Sequence, residues 1–116
     1  MLFRSDMNID TDKLVEILTG VLNAPARSPA LQPLARVKYP GRELGHITEY
    51  GGGFSIRLYK FGHEYKHRGP VPKKLPLIRP AAVQAALNDA LPDGLSVIAV
   101  RDRGKFIEVF IRRHEQ

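Results

Sequence analysis

Residues 95–112 read LSVIAVRDRGKFIEVFIR, and this stretch decides the fold class. Leu95–Arg101 and Lys105–Arg112 are rich in β-branched and aromatic residues, which suit a pleated, half-buried surface. Asp102-Arg103-Gly104 lies between them as a hairpin loop, with Gly104 at the position that takes a positive φ. Val97–Val100 is apolar on both faces, which predicts an inner strand.

Working upstream, Pro92-Asp93-Gly94 turns the chain out of a helix spanning about 80–91. Pro80 takes the favoured first position, and Val83, Leu87, Ala90 and Leu91 keep helical spacing. The first half follows the same order. Leu14, Ile17, Leu18, Val21 and Leu22 form one apolar stripe of a helix over about 10–22, with Asp10 as N-cap and Ile9 as a hydrophobic staple on Leu14. Pro25, Pro29 and Pro33 forbid a regular helix over the connector 23–36, which reads as an extended, partly polyproline-II linker over the surface. Val37–Tyr39 reads as a short strand. His46–Tyr50 and Phe54–Phe61 read as a hairpin over 46–61, turned by Gly51-Gly52-Gly53, with Phe54, Ile56 and Leu58 on one face. Residues 62–79 carry Pro70, Pro72 and Pro76 and read as a basic loop. The expectation is one α+β domain over 1–116 in the order α-β-β-α-β-β: an antiparallel sheet of about four strands with two helices on one face.

Composition bounds the chemistry. With no Cys in 116 residues, disulfides, thiolate zinc sites and cysteine nucleophiles are excluded together. The first ten residues, MLFRSDMNID, contain no apolar signal-peptide core, and no run approaches the roughly 18 apolar residues of a membrane span. A cytoplasmic protein without membrane contact is expected. The net charge is +6, and it is local. Residues 57–79 hold Arg57, Lys60, Lys66, Arg68, Lys73, Lys74 and Arg79 against the single acid Glu64. Residues 1–56 are balanced. A field concentrated in one segment attracts polyanions, chiefly nucleic-acid phosphates.

His63-Glu64-Tyr65-Lys66-His67 matches H-E-x-x-H. On a helix, two His four apart share a face and hold zinc while the Glu acts as general base. The motif resembles the zincin metallopeptidase signature over these five residues only, which implies His63 and His67 as ligands and Glu64 as base. Gly62 before it and Gly69-Pro70 after it leave room for barely two turns of helix. If the segment instead continues as a strand, residues four apart lie roughly 13 Å from one another, too far to share an ion. The favoured expectation is therefore no metal and no cofactor. Ser5, Ser28, Ser55 and Ser96 lack a nucleophile-elbow context, and Asp6, Asp10 and Asp12 suit a helix N-terminus.

The leading expectation is a non-enzymatic domain that binds DNA or RNA through the 57–79 segment. Tyr59, Phe61 and Tyr65 would stack on bases, while Arg57, Lys60, Lys66, Arg68, Lys73, Lys74 and Arg79 meet phosphates. Lys60 is out of phase with Arg57 and Tyr59 and needs a twist or bulge to join them. The alternative is a protein-interaction or assembly module that forms a homodimer through its β-hairpin edge, with Phe106–Ile111 pairing across the dimer.

Overall fold

Asp10 begins the first helix as a true N-cap: its carboxylate accepts the Lys13 main-chain N–H at 2.9 Å. The fold is given by a computed structural model, and the residues described are 9–37, 47–60 and 77–114. The elements are α1 (Thr11–Asn23), β1 (Ile47–Tyr50), β2 (Gly53–Tyr59), α2 (Pro80–Ala90), β3 (Leu95–Asp102) and β4 (Phe106–Arg113). The α+β order α-β-β-α-β-β is present. All pairings are antiparallel, and the sheet order is β1-β2-β4-β3.

Alternation in the two central strands decides which face is the core. Phe54, Ile56 and Leu58 of β2 and Ile107, Val109 and Ile111 of β4 are buried on one side. Leu14, Leu18 and Leu22 of α1 and Val83 and Leu87 of α2 join the same cluster, so both helices cover that side. Each such side chain contributes roughly 1.5–3 kcal/mol over an exposed one. Ala90, expected on the inward stripe of α2, is exposed, and Ala86 packs against the core instead.

The proline-containing connector departs from its expected extended course. Pro29–Leu31 forms a single 3-10 turn, with Pro29 in the first turn where its missing N–H is harmless. Leu31, Leu34 and Val37 are buried in the core rather than lying over the surface. Arg27 holds the segment in place. One terminal guanidinium nitrogen donates to the Leu22 carbonyl at 2.8 Å, and the other to those of Gln32 (3.0 Å) and Leu34 (2.6 Å). Asn23 closes the loop by bonding both main-chain groups of Val37 at 2.7 and 2.8 Å. Val37 belongs to no strand, and Lys38, Tyr39, His46 and Phe61 lie outside the described residues.

The C-terminal hairpin also departs from expectation in one respect. β3 is an edge strand, and it is β4 that runs inside, between β2 and β3. A bulge explains the misleading apolar run. Val97 faces Ile111, but Ala99 faces Phe110, so Ile98 is the extra residue and is 53% exposed. After the bulge the strand changes phase, placing Val100 opposite Val109 and Asp102 opposite Ile107. Asp102 thereby reaches the helix side of the sheet, where its carboxylate meets Lys60 at 3.0 Å. At the other end of that side Arg113 pairs with Glu49 at 3.0 Å, donates to the Ile9 carbonyl at 2.8 Å and lies over the Phe54 ring.

Candidate functional site

The second face of the sheet carries no helix among the described residues. The same alternation that buries Ile107, Val109 and Ile111 sends Phe106, Glu108, Phe110 and Arg112 of β4 to this side. Ser55 and Arg57 of β2 stand opposite Phe110 and Glu108, and Ala99 and Arg101 of β3 stand opposite the same pair from the other flank. Two arginines lie over two phenylalanines. The Arg57 guanidinium is 4.8 Å from the Phe106 ring centre, and that of Arg101 is 5.7 Å from Phe110. Tyr59 meets Phe106 edge-on, with ring centres 5.9 Å apart. Phe106 and Phe110 are half-buried, whereas Arg57, Arg101 and Arg112 are exposed.

Charge on this face is strongly one-sided. Glu108 is its one carboxylate among the described residues, and it is engaged by Arg103 at 2.9 Å. The arrangement presents aromatic surface and fixed positive charge together, a combination that holds flat, anionic ligands.

The residues expected from the sequence fall into three groups. Arg57 is on the open face. Tyr59 is also on it but is only 8% exposed, so it buttresses Phe106 and offers little ring surface of its own. Lys60 continues the inward phase of Phe54, Ile56 and Leu58, is 2% exposed and is ion-paired with Asp102. No bulge in β2 returns it to the Arg57 side, so it is turned away from any ligand there. Arg79 is exposed as the N-cap residue of α2, an element of the opposite side. Phe61, Tyr65, Lys66, Arg68, Lys73, Lys74 and the His63-Glu64-His67 triad lie outside the described residues. Among those described, no group of three or more His, Asp or Glu side chains is placed to hold a metal ion. No helix among them is long and apolar enough to cross a membrane.

Phe106, Phe110, Arg101 and Arg112 are the residues that sequence reasoning missed. The signal was present in the alternation Phe-Ile-Glu-Val-Phe-Ile-Arg, because three branched residues suffice for the core side. Two other features gather less chemistry. Ser96 Oγ hydrogen-bonds His114 Nε2, but no carboxylate among the described residues orients that imidazole as a nucleophile's base requires. A cleft of about 280 Å³ between the end of α1, the connector and α2 is lined mainly by small apolar side chains such as Ala24, Ala86 and Ala90.

The fold and face define a small α+β domain with one sheet surface covered by helices and the other left aromatic and basic. No family model matches the chain, and no curated protein or solved structure matches it either.

Proposed function

We propose that this chain is a small, non-enzymatic nucleic-acid-binding domain that acts through the 57–79 segment, with Arg57 linking that segment in sequence to the aromatic and basic face of the sheet. One observation carries the reading. Arg57, the first cation of the segment that holds the chain's charge excess, is exposed on the same face as Arg101 and Arg112, opposed among the described residues only by an already paired Glu108. Phosphates are met by such fixed cations with release of counterions, so affinity depends steeply on salt. Lys66, Arg68, Lys73 and Lys74 add to the positive charge of the same segment in sequence.

Binding of labelled DNA and RNA to the full chain, titrated from low to high salt, tests this. Lys73→Ala/Lys74→Ala is expected to weaken binding to all sequences alike and to flatten the salt dependence by about 0.7–0.9 per lost phosphate contact. Absence of binding at low salt, or an unchanged salt slope in that variant, overturns it.

The competing reading, assembly through the hairpin edge, has less support. Phe106–Ile111 is already paired on both sides, and α2 side chains occupy the outer side of β3 at Val97.

A further inference from the structure

Phe106 and Phe110 are four residues apart on one continuous strand, which separates the two rings' attachment points by roughly 13 Å along the sheet. Both stand on the open face, and each has an exposed arginine over it. Core packing does not account for them, since Ile107, Val109 and Ile111 fill the helix side. Both rings are partly exposed, and apolar surface rimmed by polar groups on one face is the kind that marks an interaction site. Each ring is covered by the guanidinium of an exposed arginine. A base can take the guanidinium's place against the ring, or stack on the guanidinium itself.

Resting on the nucleic-acid reading above, we infer that Phe106 and Phe110, with Arg57 and Arg101, form a stacking platform for unpaired bases, so that the ligand is a single-stranded nucleic acid. A duplex presents its phosphates outward and keeps its base faces stacked inside, and it has nothing to lay on these rings. A single strand offers both base planes and phosphates, and the platform meets both within one patch. Arg112 continues the line of positive charge beyond Phe110 along β4. Strand choice then follows from the rings, while the arginines supply the phosphate attraction common to all nucleic acids.

The experiment compares a fluorescent single-stranded 12-mer with a duplex of the same length, using the full-length protein and its Phe106→Leu and Phe110→Leu variants. Leucine keeps apolar bulk and removes the π-face. The single strand is expected to bind at least tenfold more tightly than the duplex, and each variant to lose roughly tenfold for the single strand while changing less than twofold for the duplex. A single strand carrying 2-aminopurine gives a second readout that needs no variant: stacking quenches its emission when the wild-type protein binds. Equal or tighter duplex binding, unquenched 2-aminopurine, or single-strand affinity unmoved in correctly folded leucine variants overturns the platform while leaving the wider nucleic-acid reading standing. Failure to bind either form at low salt overturns both.

Discussion

The side chain of Asn88, on α2, bonds both main-chain groups of Val97, on the edge strand β3: Oδ1 accepts the N–H at 2.7 Å and Nδ2 donates to the carbonyl at 3.3 Å. Gln84, one helical turn earlier, donates to the same carbonyl at 3.0 Å. These groups would otherwise face outward as a template for another strand. The helix thus does for β3 what a neighbouring strand would do, at the point where the bulge begins.

Asn88→Ala leaves the Val97 N–H unpaired. We expect a loss of about 1–2 kcal/mol in urea unfolding, together with concentration-dependent self-association in light scattering. A variant that is destabilised but strictly monomeric would show that edge protection is not the role of this contact.

Lys60 and Asp102 predict an asymmetry. Asp102→Ala removes a carboxylate from beside a 2%-exposed ammonium, whereas Lys60→Met removes the charge and keeps the apolar stem. The first should cost about 1–3 kcal/mol, below the range for a fully buried pair because the Asp102 side chain is 35% exposed. The second should cost clearly less. Denaturant midpoints of the two variants decide the order.

The same carboxylate predicts a pH effect. Partial burial pushes the Asp102 carboxyl up, but the Gly104 N–H and the Lys60 ammonium outweigh it and hold it below the usual Asp value. A depressed folded-state pKa means stability that is present above the unfolded value, about 3.9, and is lost as pH falls through the folded one. Acid titration of folding should therefore show a limb that is absent in Asp102→Asn.

At Gly53 the turn sequence hides a packing constraint. A methyl group there would run into the Ile111 carbonyl oxygen and stand 2.9 Å from Arg112 Cα, both backbone atoms that cannot swing aside. Gly53→Ala should cost about 3 kcal/mol or more, while Gly51→Ala and Gly52→Ala, which meet nothing within 4 Å, should stay within about 0.5 kcal/mol. Thermal melts of the three variants separate these outcomes.

Arg27→Met should cost about 3 kcal/mol, because the carbonyls of Leu22, Gln32 and Leu34 lose their donors in the interior. Chemical denaturation measures it. Survival of the full melting temperature would show that the connector is held by Leu31 and Leu34 alone.

Periodicity alone was enough to read α1, α2 and the two hairpins, because a helical stripe and a strand alternation are local consequences of where apolar side chains repeat. It also placed Phe54, Ile56 and Leu58 together on the core side. The connector misled because prolines at spacing four exclude an α-helix but permit one 3-10 turn, and only the core's demand for Leu31 and Leu34 chooses between that turn and an extended linker. β3 misled for a different reason. An apolar run is ambiguous between a central strand and a bulged edge, and the choice rests on Asn88 and Gln84, side chains of another element.

Charge arithmetic on the sequence pointed to the segment beginning at Arg57, and the fold neither moves Arg57 nor frees Lys60, whose phase with Leu58 was written in the alternation. Phe106, Phe110 and Arg101 came together only in three dimensions. Their grouping depends on cross-strand register and on a one-residue bulge that changes the phase of β3. What the sequence determined by itself was local: two helices, two hairpins and a concentrated positive charge. Which strands became central, which face the two helices cover and which cations were spent inside the protein were decided by tertiary structure, because register and burial are set by partners distant along the chain.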